Sequence, residues 1–95
     1  MTPTRPTLSV VIPVFNEEKT ITQVLERVSA LPFVDEIIVV DDGSRDNTRT
    51  LLRNHKSPEH PQIHIHLQPE NFGKGRAVRT GFARASGEIV VVQDA

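Results

Sequence analysis

The sequence predicts a doubly wound α/β unit on a parallel sheet of order 3-2-1-4, with helices on both faces. Three observations carry that prediction. Short β-branched runs alternate with segments of helical period, in the order β-α-β-α-β-α-β. One run, Ile37-Ile38-Val39-Val40, is apolar at every position, as a strand covered by helices on both sides reads. No internal repeat or low-complexity tract interrupts the alternation, so right-handed crossovers join neighbouring parallel strands.

Residues 1–6, with Pro3 and Pro6, read as a flexible lead-in, and the folded unit is expected over 7–95. Leu8-Ser9-Val10-Val11-Ile12 is the first strand, closed by Pro13. From Glu17 the period changes: Ile21, Val24, Leu25, Val28 and Leu31 share one helical face, and Pro32 ends the helix. Glu17 and Glu18 are expected in its first turn, where carboxylates meet the positive end of the helix dipole. The buried run Ile37–Val40 is the second strand, and Asp41-Asp42-Gly43-Ser44 is the turn after it. Asp46 or Asn47 caps a second helix carrying Leu51 and Leu52. A polar loop, Ser57–Pro61, leads to Ile63-His64-Ile65-His66-Leu67, whose alternation marks a strand with one buried face. After the Gly-rich turn Asn71–Gly75, residues Ala77, Val78, Gly81, Phe82 and Ala85 form one face of a third helix, with Gly87 as its C-terminal cap. Ile89–Val92 is the fourth strand.

Composition bounds the function. The chain has 95 residues, and 11 Lys+Arg against 12 Asp+Glu leave a formal net charge of -1. That balance gives neither a nucleic-acid footprint nor a polybasic membrane patch. With no cysteine, a disulfide scaffold, a Cys-ligated zinc and a thiol nucleophile are excluded. No stretch reaches the roughly 20 apolar residues of a membrane span, and the opening residues do not form a signal peptide. The expectation is a soluble, cytoplasmic segment. Its abrupt stop at Gln93-Asp94-Ala95, directly after an apolar run, reads as a cut.

In a 3-2-1-4 sheet the chain reverses direction between the first and fourth strands, and ligands bind at the carboxyl ends of strands beside that switch point. The rule selects Pro13–Glu18, Asp41–Ser44 and the residues after Val92. The adjacent carboxylates Asp41 and Asp42 suit hydrogen bonding to a base or sugar, or a cation; a plain strand-to-helix turn is the alternative. Asp94, just past the fourth strand, offers a hard oxygen ligand to Mg²⁺ or Mn²⁺. Asn71-Phe72-Gly73-Lys74-Gly75-Arg76 opens a helix whose N-terminus and Lys74 suit a phosphate. It is neither a Walker A loop nor a dinucleotide fingerprint, since no Ser or Thr follows Lys74 and the turn follows the third strand. His60, His64 and His66 read as surface histidines on an edge strand and its approach, not as converging metal ligands.

Together these segments resemble family 2 glycosyltransferases. Val10-Val11-Ile12-Pro13-Val14-Phe15-Asn16-Glu17-Glu18 is similar to the family's opening strand and loop, and Ile37–Ser44 to its second strand and acidic turn. Asn71–Gly81 is similar to its N-x-G-K-G-x-A-x-R-x-G segment, and Gly87–Ala95 to the strand leading into its D-x-D motif. The resemblance covers residues 7–95 and implies the N-terminal, nucleotide-sugar-binding portion of a GT-A fold, Rossmann-like in its sheet, truncated at D-x-D. It implies that Pro13, Phe15 and Glu17 line a nucleoside pocket, that Asp41 bonds the base with Asp42 toward the ribose, and that Lys74 approaches the base or the diphosphate. Asp94 would be the first D-x-D acid, beside the diphosphate and a Mg²⁺ or Mn²⁺ ion, and the second acid would fall at position 96, after the last residue here. Phe15 stands where Tyr is commoner, keeping a stacking face without a hydroxyl.

The implied reaction is an inverting transfer from a nucleotide-diphosphate sugar. The matches around Lys74 and Gln93-Asp94-Ala95 look most like enzymes acting on polyprenyl phosphates at a membrane. The catalytic base is expected beyond Ala95, so this chain alone is expected to be inactive, and self-association is expected through the uncovered fourth strand. Two other classes compete. A receiver-like regulatory module would carry its acidic pair after the first strand, not the second. A sugar nucleotidyltransferase would carry a Gly-rich loop there, where Pro13-Val14-Phe15-Asn16-Glu17 has no Gly.

Overall fold

Strands and helices alternate as β1 (Leu8–Val14), α1 (Ile21–Ser29), β2 (Glu36–Asp41), α2 (Thr48–Asn54), β3 (Gln62–Leu67), α3 (Lys74–Arg84) and β4 (Ile89–Val92) in a computed structural model that describes residues 5–95. Residues 1–4 of the expected lead-in lie outside the described residues. All pairings are parallel and the order is β3-β2-β1-β4, as the sequence predicts. Arg5, within the expected lead-in, forks onto Asp35 with NH1 and NH2 at 2.8 and 2.9 Å from its two carboxylate oxygens. Among the described residues no helix is long and apolar enough to cross a membrane.

The sheet separates two apolar layers. Val10, Ile12, Val14, Ile37 and Val39 meet Ile21, Leu25, Val28, Val34 and Leu52 on the α1/α2 side. Val11, Ile38 and Val40 meet Ala77 of α3 on the other. Helices on both faces therefore bury β2 completely, which explains its unbroken apolar run. Full burial of each Ile or Leu in these layers contributes about 2 kcal/mol.

Four boundaries differ from expectation, each for a tertiary reason. β1 continues through Pro13 to Val14. Even-numbered residues of β1 bond toward β2, as Val14 O does with the Asp42 N–H, whereas Val11 O bonds the Gln93 N–H on the β4 side. Pro13 therefore directs its missing N–H to the β4 side, where pairing has already ended at Val11–Val92. α1 begins at Ile21, not at Glu17: the Thr20 and Ile21 N–H groups both close on the Glu17 carbonyl in a tight turn ahead of the helix, and the Glu17 and Glu18 N–H groups are satisfied by Thr48 Oγ1 and Asp46 Oδ2. It also ends at Ser29, leaving Leu31 off the helical face and 41% exposed. Finally, α3 stops at Arg84 and Gly87 is not its cap; a Cβ there would lie 2.6 Å from Ser9 Oγ and 2.8 Å from Ser9 N, so the residue allows close approach to β1. Phe82, expected on the buried face of α3, is 48% exposed, because Ala77 and Gly81 alone seat the helix on the sheet.

The Asp46 expectation holds in function though Asn47 occupies the cap position: Asp46 Oδ1 accepts from the Thr48 N–H at 2.9 Å. Burial alone would raise the Asp46 pKa, but this bond and that from the Glu18 N–H outweigh it and hold the carboxyl below its ordinary range. Two of the three histidines are exposed as expected, His60 and His64; His66 departs from the expectation, being half-buried beside Arg84, while Ile63, Ile65 and Leu67 pack against the core.

At the amino ends of the strands, buried Glu36 ties β2 to the α3–β4 connection. Its Oε1 accepts from Ser9 Oγ at 2.7 Å and the Ser86 N–H at 2.9 Å, and its Oε2 accepts from Ser86 Oγ at 3.0 Å. His64 Nε2 lies 3.3 Å from Oε2. Burial would raise the Glu36 pKa, but these bonds and His64 overcome it and hold the value below the ordinary range. His66 is shifted down by burial and by Arg84. The sign is the same for both: the unfolded chain takes up protons first as pH falls, so their stabilisation is present at neutral pH and lost in acid. Stability in urea is expected to decline below about pH 6.5, where the unfolded chain's histidine takes up a proton that buried His66 resists, and further below about pH 4.3, where its glutamate does so before Glu36. Glu36→Ala should cost about 2–3 kcal/mol at pH 7 and flatten the step near pH 4. An unchanged acid limb in this variant would show that Glu36 does not supply it.

Candidate functional site

The carboxyl ends of β1 and β4, the turn after β2 and the start of α3 enclose a cavity of about 330 Å³ at the switch point of the sheet. Six of the seven expected site residues stand in its wall: Pro13, Phe15, Glu17, Asp42, Lys74 and Asp94. They are brought together by parallel strands that end in step, not by sequence proximity. Val14, Asn71, Gly73, Ala77 and Ala95 complete the wall.

Asp42 is the structural centre. Its Oδ1 accepts from Gln68 Nε2 at 2.7 Å and the Phe72 N–H at 2.8 Å, and its Oδ2 accepts from the Gly73 N–H at 3.0 Å. This carboxylate thus clamps the Gly-rich turn that delivers Lys74. Gly43 permits the same contact from below. Its φ is 73°, and a Cβ would lie 2.4 Å from the Glu70 carbonyl carbon and 2.5 Å from Asn71 N.

Asp41 is not in the wall. It is fully buried on the α2 side of β2, where its Oδ2 accepts from the Ser44 N–H at 3.1 Å and lies 3.2 Å from Arg49 Nε. Its Oδ1 is buried without a partner. Side chains alternate across a strand, so two consecutive aspartates at its end face opposite layers. Adjacency in sequence hid this difference.

The loop after β1 is locked to the acidic turn. Asn16 adopts φ 52°, its N–H donates to Ser44 Oγ at 2.8 Å, and its Oδ1 accepts from the Arg45 N–H at 2.8 Å. Asn16, Arg49, Thr48 and Gln68 were not singled out from sequence. Asn is among the few residues that tolerate a left-handed backbone, which was the available signal for Asn16. Nothing local marks Arg49 and Gln68, which meet across 19 residues through Arg49 NH2 and the Gln68 carbonyl at 2.8 Å.

Lys74 Nζ lies 2.5 Å from Asp94 Oδ1 across the exposed mouth. Phe15 presents an aromatic surface, and the α3 N-terminus adds a positive dipole end. Such a cavity suits a planar base at one side and a phosphate group at the other. Among the described residues no cluster of three or more His, Cys, Asp or Glu stands ready to hold a metal ion. Asp94 offers a single carboxylate.

A sheet of this order with a cavity of this lining at its switch point has the layout of a ligand-binding α/β unit. The chain belongs to glycosyl transferase family 2, whose model matches residues 9–95. It is 44% identical over 94 residues to a dolichyl-phosphate beta-glucosyltransferase of Trichomonas vaginalis, covering 90% of this chain and 28% of that protein. It is 36% identical over 92 residues to an undecaprenyl-phosphate 4-deoxy-4-formamido-L-arabinose transferase of Pseudomonas fluorescens, covering 93% of this chain and 27% of that one. In structure it is similar to glucosyl-3-phosphoglycerate synthase of Mycobacterium tuberculosis, a GT-A glycosyltransferase crystallised with Mn²⁺, uridine diphosphate and glucosyl-3-phosphoglycerate. The TM-score is 0.72 at 33% identity, over 94% of this chain and 33% of that one. The chain therefore spans about 28% of the length of these curated relatives.

Proposed function

We propose that this chain is the donor-binding portion of an inverting glycosyltransferase that moves a sugar from a nucleotide-diphosphate sugar to a polyprenyl phosphate. The observation that carries the reading is the convergence of Pro13, Phe15, Glu17, Asp42, Lys74 and Asp94 on one cavity at the switch point. Pro13 and Phe15 form the apolar side against which a base stacks. Glu17, with Asp42 behind it, lines the path toward the ribose. Lys74 at the α3 N-terminus receives the diphosphate and offsets charge as the leaving group departs. Asp41 acts from beneath the wall: its Oδ2 accepts from the Ser44 N–H, and Ser44 Oγ in turn holds the Asn16 N–H in the loop that carries Phe15 and Glu17.

The residues fit a divalent ion only as half a site. A hard cation of the Mg²⁺ or Mn²⁺ type needs one or two carboxylates and takes its remaining oxygens from phosphate and water, so Asp94 would hold it once the diphosphate is in place. When bound, the ion neutralises charge on the departing diphosphate. Asp94 must first release Lys74, which frees the ammonium for a phosphate oxygen. The polyprenyl-phosphate acceptor is supported by the names of the two relatives above, and membrane association of the whole protein follows from it.

Calorimetry with a panel of nucleoside diphosphates tests the reading. Binding is expected, and Asp41→Ala should weaken it by about 1.5–3 kcal/mol. Equal affinity in wild type and variant would remove Asp41 from the site, and no binding by any member of the panel would refute the donor-binding assignment. We also propose that β4, bonded on one edge only and with Ile89, Val91 and Val92 exposed, associates with a second copy of the chain. Light scattering that shows a monomer at all concentrations would refute this.

A further inference from the structure

We propose that the outward face of α3 docks on a bilayer bearing anionic lipid headgroups; the inference rests on the polyprenyl-phosphate reading above. The helix carries Lys74, Arg76, Arg79 and Arg84 and no carboxylate in 11 residues, although acids outnumber bases in the chain as a whole. Ala77 and Gly81 face the sheet, which turns Arg76, Arg79 and Phe82, spaced by three, to the opposite side. All three are exposed.

Lys74 is paired with Asp94, and the other three charges are uncommitted. Among the described residues, the guanidinium groups of Arg76, Arg79 and Arg84 make no ion pair and no hydrogen bond, whereas Arg5 and Arg49 are each paired with an aspartate. Arg76 lies flat over the Phe72 ring at 3.9 Å, so it is held in place without losing its charge. The result is an aromatic–Arg–Arg–aromatic row from Phe72 to Phe82. Cations at headgroup depth with aromatic rings entering the apolar boundary are the two signals interfacial helices combine. Phe82, half exposed at the end of this row, supplies the apolar group that would enter the boundary. A nucleic acid would also meet cations beside aromatic rings, so the duplex-DNA arm of the test below separates the two partners.

Docking in this way also places the site. Lys74 is the first residue of α3 and stands in the cavity wall. With the helix lying on the membrane, the cavity mouth is held at the level where an acceptor phosphate sits.

Sedimentation of the chain with phosphatidylcholine vesicles, with and without about 30% phosphatidylserine, tests this. Binding is expected only to the anionic vesicles and is expected to vanish in high salt. Arg76→Glu with Arg79→Glu should reduce it at least about 20-fold, and Phe82→Ser several-fold. Arg27→Glu with Arg53→Glu, the same charge change on α1 and α2, should leave it nearly intact. Circular dichroism confirms the fold of each variant, and salt sensitivity of the wild type stands if one fails to fold. Equal loss in both double variants, equal binding to neutral vesicles, or equally tight capture by duplex DNA overturns the proposal. Vesicle binding absent while nucleoside diphosphate still binds removes the docking surface alone; the reverse pattern removes the donor-binding reading.

Discussion

Asp42→Ala is expected to lower stability by about 3 kcal/mol and to abolish measurable nucleoside-diphosphate binding. The carboxylate is almost fully buried and accepts three hydrogen bonds, from Gln68 and from the Phe72 and Gly73 N–H groups. Hydrogen bonds to a charged acceptor contribute about 1.5–3 kcal/mol each, and water recovers part of that at the two half-buried N–H groups. The effect on binding is indirect as well as direct. Without the clamp the Gly-rich turn loses its attachment to β2, and Lys74 loses its position at the cavity. Urea denaturation and calorimetry read the two consequences separately. A variant of wild-type stability would show that the turn is held by something other than Asp42.

Gly43→Ala should be comparably damaging, at about 3 kcal/mol or more. A residue with a Cβ at φ 73° costs about 1–2 kcal/mol by itself. The added methyl would also fall 2.4 Å from a backbone carbon of Glu70, and no rotamer change moves backbone. The strain is relieved only by pushing residues 70 and 71 away from the acidic turn, which is the contact Asp42 secures. The two substitutions therefore act on one interface, and the double variant should lose less than the two losses added together. Strict additivity would mean that the acidic turn and the Gly-rich turn are not mechanically joined.

The alternation of elements, the strand order, the apolar character of β2 and the end of the sheet where the cavity lies are all readable from residue order. Those features follow from periodicity, from helix coverage of both faces and from the handedness of crossovers, all of which act through local chain chemistry. Six residues of the cavity wall were legible for the same reason: they stand at strand ends and at a helix start, and topology alone makes those ends converge. Tertiary structure decided what short-range pattern does not encode. Asp41 and Asp42 look equivalent as a pair, yet the alternation of side chains sends one to Arg49 beneath the sheet and the other to the cavity wall. Glu17 and Glu18 look like a helix start, yet their N–H groups tie them to Thr48 and Asp46 across about 30 residues, in a tight turn that precedes α1. Phe82 has the spacing of a core residue, yet α3 seats on the sheet through Ala77 and Gly81, which turns Phe82 to the outward side. In each case the deciding partner lies on another element. Distant segments compete for the same hydrogen bond or the same space, and only the assembled fold shows which of them wins.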